Sequence, residues 1–179
     1  GGRAIVGFFR GIPNEFLTYG TNPAESRAMH EEALELVLTS WSEPQPFGWE
    51  GRFYRFRTVA VWPQPVQVPR PPLLLAGTST ESAKFAAQKR AILGLSFLNP
   101  PEEAAALAAT YRAEAARLGW EPAREDILFR ARIYVARTDE LAESEAREYD
   151  LGNVLGPLVP PPEKQAANQK ILGAVFGPS

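Results

Sequence analysis

Leu73-Leu74-Leu75-Ala76-Gly77-Thr78-Ser79-Thr80-Glu81-Ser82 is the stretch of this chain whose reading decides the fold. Four apolar residues without alternation suit a strand covered on both faces, the habit of parallel sheets and barrels. Gly77 ends the run, and a hydroxyl-rich segment then opens a helix predicted to reach about Lys89. Free N–H groups at such a helix start lie at the positive end of its dipole. Together with the hydroxyls of Thr78, Ser79 and Ser82 they would cradle an anion, phosphate above all. The same residues also read as plain helix capping by Ser79. Neither a GKS/T phosphate loop nor a GxGxxG fingerprint is present.

Working outward, the strand–helix unit recurs. Ala4–Phe9 is another continuous apolar run, ending at Arg10-Gly11. Asn22-Pro23-Ala24-Glu25 reads as a cap, a proline at the first helical position and an early acid, starting a helix to about Trp41 with Met29, Ala33, Leu36 and Val37 on one stripe. Ala91–Leu98 is a third buried strand. Asn99-Pro100-Pro101-Glu102 caps a helix over 101–118 that Gly119 stops. Ile127–Ala136 is a fourth strand, and Thr138-Asp139-Glu140 opens a helix to about Tyr149. Alternating strands and helices imply an α/β fold with a parallel sheet and right-handed crossovers. The pattern leaves two architectures open: a small doubly wound sheet, or part of a (β/α)8 TIM barrel, whose complete form needs roughly 250 residues.

Two segments depart from the rhythm. Residues 43–72 hold seven prolines and the aromatic residues Phe47, Trp49, Phe53, Tyr54 and Phe56, and read as an extended excursion with a hairpin near Trp49-Glu50-Gly51. Residues 150–179 read as an irregular C-terminal segment with a short helix at 163–174. The expectation is one domain over residues 1–179.

Composition narrows the function. Among 179 residues, 19 Lys and Arg against 21 Asp and Glu leave a net charge of −2, which argues against nucleic acid as a partner. No apolar run is long enough for a membrane span and no signal segment opens the chain. Cysteine is absent and histidine occurs once, which speaks against disulfides, thiolate chemistry and a metal site. A cytoplasmic, metal-poor protein is expected. The chain begins Gly1-Gly2-Arg3 without a Met, so residues precede it in the gene or were trimmed.

Arg10 follows a strand's carboxyl end, where parallel α/β folds bind ligands, and an arginine there can pair with phosphate through two hydrogen bonds. An ion pair with Glu15 explains it equally well. His30 lies in mid-helix beside Met29 and Glu31-Glu32, which suits a half-buried or solvated histidine with the glutamates on a solvated face. Asp126, Asp139 and Asp150 show no paired spacing, and no catalytic residue emerges.

Several segments together resemble a known family. Arg3–Gly11, Asn14-Glu15-Phe16, Tyr19-Gly20-Thr21, Ser26-Arg27-Ala28, Tyr54-Arg55-Phe56, Pro65–Pro72, Ala76–Ser82 with Phe85-Ala86-Ala87, Leu95-Ser96-Phe97 and the Tyr111–Gly119 helix are similar, in order and spacing, to the bacterial luciferase-like flavin-dependent monooxygenases. The resemblance covers about residues 2–150. It implies a (β/α)8 barrel of which this chain holds the middle-to-late strands, a partial barrel. It further implies that reduced FMN, supplied by a flavin reductase, reacts with O2 to oxidise a small organic substrate. By the same resemblance, Arg10 grips the flavin phosphate, Gly77, Thr78, Ser79 and Ser82 supply its hydroxyl and backbone partners, and Ser96 and Phe97 lie near the ring. The family's first strands, which carry its catalytic histidine, have no counterpart here. Other readings are a deazaflavin-dependent oxidoreductase and a non-catalytic flavin-binding protein, with a homo-oligomer possible. A sheet left open should also aggregate, swap strands or depend on further segments.

Overall fold

Alternate residues of the leucine run meet two different environments. Leu73 and Leu75 are buried, whereas Leu74 and Ala76 are half-buried. The computed structural model of the protein describes residues 1–96, 99–130 and 133–148. Its elements are β1 (Val6–Phe8), α1 (Pro13–Tyr19), α2 (Ser26–Ser42), β2 (Phe47–Glu50), β3 (Arg55–Val59), β4 (Leu73–Ala76), α3 (Thr80–Gln88), β5 (Ile92–Ser96), α4 (Pro101–Arg117), β6 (Ile127–Arg130) and α5 (Asp139–Glu148).

The chain divides into two compact units, Gly1–Phe9 with Ala28–Ala131, and Arg10–Arg27 with Arg132–Ser179. The first holds a four-stranded sheet in the order β1-β4-β5-β6 with every pair parallel, and a separate β2–β3 antiparallel hairpin. Strand order follows chain order and never reverses. The described strands therefore lack the switch point of a doubly wound sheet. Nor do they close on themselves: β1 and β6 each present an edge with no strand partner among the described residues.

The helices gather on one face. α3 and α4 pack on each other and on β5, and the Phe8 ring lies 6.5 Å from that of Trp41 on α2. Leu34, Leu73, Leu75, Leu93, Leu95 and four alanines of α3 and its exit form the core between sheet and helices. Tyr111 of α4 is wholly buried there, its hydroxyl donating to the carbonyl of Ala91 at 2.8 Å. Burial pushes that phenol's pKa upward. By alternation and register the other sheet face carries Gly7, Leu74, Ala76, Ile92, Gly94, Ser96, Leu128 and Arg130.

Several elements differ from the sequence reading. β1 is shorter than expected and β5 starts at Ile92 instead of Ala91, while Phe97 and Leu98 lie outside the described residues. β6 is described over Ile127–Arg130, and residues 133–136 are not strand, so it does not reach Ala136. Asn22-Pro23-Ala24-Glu25 forms a turn, Asn22 Oδ1 accepting from the Ala24 amide at 3.0 Å, and α2 starts at Ser26. The irregular segment 150–179 and the helix at 163–174 lie outside the described residues.

The second unit contains α1, which the sequence reading left as a connection. Its signals were present: Pro13 at the first helical position, Glu15 reaching back to the Ile12 amide at 2.9 Å, and Gly20 with φ +63° as its stop. α5 begins as expected, with Thr138 Oγ1 accepting from the Leu141 amide at 3.2 Å.

The hairpin hangs on a carboxylate. Glu32 of α2 accepts from the backbone amides of Arg52, Phe53 and Tyr54 at 3.0, 3.0 and 2.9 Å and from the Trp49 indole at 3.3 Å. Desolvation raises this carboxyl's pKa, but the four donors outweigh it and hold the value below the ordinary range. Glu32 is thus an anchor and no part of a solvated face, which corrects the sequence expectation. Its partners lie some twenty residues away, so no local spacing announces them.

A second carboxylate fastens α3 to α4. Glu114 is buried; Arg117 donates to it at 2.9 and 2.7 Å and Gln88 at 3.2 Å. The Arg117 and Gln88 hydrogen bonds overcome desolvation and lower its pKa from 4.5 to about 2. Its contribution to stability is complete above pH 4.5 and disappears as the pH falls through about 2. Acid titration of the thermal midpoint across that window should therefore show a shallower fall for Glu114→Gln than for the wild type, and parallel curves would disprove the role.

Candidate functional site

The turn from β4 into α3 builds the most ordered polar cluster at a strand end. Gly77 donates to the Gly94 carbonyl at 2.8 Å and closes β4 tightly against β5. A Cβ at this position would stand 2.4 Å from Leu93 Cδ1 and 3.4 Å from Leu95 Cδ2, so any larger residue requires the Leu93 side chain to shift. The chain then turns out through Thr78 to Ser79, the extended N-cap of α3. Ser79 Oγ accepts from the Ser82 amide at 3.3 Å, so the capping role anticipated for Ser79 is present.

The amides of Thr78 and Ser79 both point at one oxygen, Ser82 Oγ, at 3.0 and 2.9 Å. The Ser82 hydroxyl in turn donates to the Ser79 carbonyl at 2.8 Å. This corrects one expectation: the two amides preceding the helix are engaged by Ser82 rather than free. The structure brings Thr78, Ser79 and Ser82 together, with Thr78 exposed and the two serines half-buried.

Ser96 stands at the carboxyl end of β5, in register with Arg130 at the end of β6. Arg130 Nη2 donates to Ser96 Oγ at 3.4 Å. Arg130 was not singled out from sequence; it fell inside a strand assigned to run on to Ala136, which hid its terminal position. Phe97 lies outside the described residues.

Arg10 belongs to the second unit. It is not ion-paired to Glu15, whose carboxylate turns to the Ile12 amide instead. Desolvation and the charge of Arg27 lower the pKa of Arg10. Two guanidinium groups within electrostatic reach of each other repel, and an anion between them relieves the repulsion. Arg27, at the start of α2, is a charge near Arg10 that the sequence alone did not single out. His30 is half-buried, its ring edge-on to Phe85 at 6.5 Å, in the helix body as expected. A shallow polar concavity along α5, lined by Asp139, Glu140, Glu143, Ser144 and Arg147, contains none of the residues singled out.

The chain is an α/β protein whose parallel sheet runs in one direction and collects polar groups at its strand ends, where such folds bind ligands. The family model described as luciferase-like monooxygenase matches residues 1–173, and the chain belongs to this family. Among solved structures it is similar to monooxygenase RslO1 from Streptomyces bottropensis, with 27% identity and a TM-score of 0.67 over 97% of this chain and 58% of that one. It shares its fold with the oxygenating constituent of 3,6-diketocamphane monooxygenase from the CAM plasmid of Pseudomonas putida, a type II Baeyer-Villiger monooxygenase in complex with FMN. Identity there is 18% and the TM-score 0.68, over 86% of this chain and 47% of that one. Riboflavin lyase RcaE, solved with modified FMN and riboflavin, aligns at 21% identity and a TM-score of 0.55 over 74% of this chain and 34% of that one. No curated protein sequence matches. The chain thus spans about half the length of the structures it resembles. Among the described residues, no helix is long and apolar enough to cross a membrane.

Gly77 provides a check on how the cluster is held. Gly77→Ala should destabilise the first unit by about 1–3 kcal/mol, the usual range for overpacking a filled core, measured by urea unfolding. An unchanged midpoint would show that Leu93 yields freely.

Proposed function

We propose that this chain is the cofactor-placing part of a flavin-dependent monooxygenase, binding FMN and serving the oxidation of a small organic substrate by O2. The observation that carries the reading, in a chain of this family, is the convergence of the Thr78 and Ser79 amides on a single oxygen position at the carboxyl end of β4. A phosphate oxygen is the same kind of acceptor, so the residues present fit a flavin phosphate once the Ser82 hydroxyl turns aside. The FMN-bound structure that shares this fold supports the choice of cofactor.

In this reading Thr78, Ser79 and Ser82 contribute oriented hydrogen bonds to the phosphate, and Arg10, by the family resemblance, pairs with its charge. By the family resemblance Ser96 and Phe97 belong to the strand end near the flavin ring, while Gly77 keeps the backbone close. When bound and reduced by a separate flavin reductase, FMN supplies electrons for O2 activation. The chain's own task is placement: it fixes the phosphate, and the small-residue face of β4 and β5 leaves room beside it.

Titration of FMN and riboflavin into wild type and Arg10→Ala separates phosphate recognition from ring recognition. Arg10→Ala should weaken FMN by about 1.5–3 kcal/mol, the range for a lost charged hydrogen bond, and leave riboflavin nearly unchanged. His30→Gln, as a control, should keep FMN affinity within a factor of about two. Equal losses of both ligands in Arg10→Ala would overturn the assignment.

A further inference from the structure

Among the described residues β3 pairs with β2 alone, so its outer edge presents backbone N–H and C=O groups that no strand takes up. Arg55, Phe56, Arg57 and Thr58 are all exposed along it, Phe56 by 45%. By alternation Arg55 and Arg57 share one face of the hairpin, while Thr58 and Phe56, the latter in register with Trp49, share the other. Glu50 stands opposite Arg55 in register. No ion pair joins the two, and Arg55 Nε instead donates to the Gly51 carbonyl at 3.1 Å. Neither Arg55 nor Arg57 is ion-paired to a carboxylate among the described residues.

This edge is ordered in advance. Glu32 holds the amides of the turn that leads into β3, so a partner does not have to shape the strand before it binds. The charges then decide what fits. A second copy laid edge to edge along β3 sets arginine beside arginine, and like charges in that position repel. An extended segment with Asp or Glu at every second residue repeats its carboxylates at roughly 7 Å on one face, the same period as Arg55 and Arg57. Consecutive acids fall on opposite faces of such a strand, and half of them would meet Phe56 and Thr58 instead.

We propose that the outer edge of β3 is a docking site for an extended acidic segment of a partner protein. The segment adds as a third strand, with Asp or Glu at alternate positions beside Arg55 and Arg57 and uncharged residues beside Phe56 and Thr58. Main-chain hydrogen bonds along the edge supply affinity, and the arginine pair supplies the choice of sequence. The proposal goes beyond the flavin reading and does not depend on it.

The probe is a fluorescein-labelled heptapeptide alternating glutamate with threonine, titrated into the full chain and followed by anisotropy. It should bind about tenfold more tightly than a peptide of the same composition with its glutamates in one block, the scale of two cross-strand ion pairs. Binding should also slow amide hydrogen exchange within β3. Arg57→Gln, which removes no hydrogen bond of the hairpin, should reduce the preference by about threefold, the share of one such pair, and Arg57→Lys should keep most of it. With Arg55→Gln added and the circular dichroism spectrum unchanged, the two peptides should bind alike. Equal binding of both peptides to wild type overturns the proposal, as does a preference untouched by Arg57→Gln or β3 amides that gain no protection. Tighter binding of a thymidine oligonucleotide than of the alternating peptide overturns it too, because the edge would then be reading charge alone.

Discussion

Everything in the first unit depends on how closely β4 and β5 approach each other. The Gly77 amide reaches the Gly94 carbonyl, and the absence of side chains at both positions lets Leu93, Leu95 and Leu74 fill the space a Cβ would take. That contact sets the register in which Leu73, Leu75, Leu93 and Leu95 share one face and meet α3 and α4. It also fixes where β4 stops, and hence where Thr78 and Ser79 leave the sheet. The polar cluster is a consequence of core packing: the glycine that the leucines require is the residue from which the chain turns.

Much of this was legible in sequence. The leucine run, the glycine and the hydroxyl cap are local signals, and each maps onto β4, the tight turn and the start of α3. The parallel α/β arrangement followed from element order alone. What could not be read was everything set by distant partners. Glu32 looks like one glutamate among several on a helix; only the folded hairpin shows three amides and an indole converging on it. Arg27 gains meaning from Arg10, seventeen positions earlier and outside any helical spacing.

The chain offers two kinds of anion chemistry, one in each unit, with different physical character. At the β4 end, neutral dipoles are aimed at a point: amides whose direction the backbone fixes and whose strength salt hardly alters. Arg10 and Arg27 bring net charge, which acts over longer distances and is screened by ions. The Ser82 hydroxyl keeps the amides satisfied, so the turn holds its shape without depending on a ligand to order it.

The Glu32 anchor has a consequence for how this protein can vary. The β2–β3 hairpin is a sheet of its own, separate from the four parallel strands, and four of its donors, in and beside the turn, end on one carboxylate of α2. At the other end Gln45 donates to the Ser40 carbonyl of α2 and accepts from the Val61 amide, and a two-stranded element held at its ends behaves as a cassette. Its outer residues, including the exposed Arg55, Phe56 and Arg57, can be exchanged, lengthened or shortened without disturbing β4. The turn from Gly51 to Tyr54 cannot, because a Cβ on Gly51 would lie 1.7 Å from a Glu32 oxygen. Diversity among relatives of this chain should accordingly collect in the arms of the hairpin and stop at its turn, leaving a grafting point for new sequence that the parallel sheet does not notice.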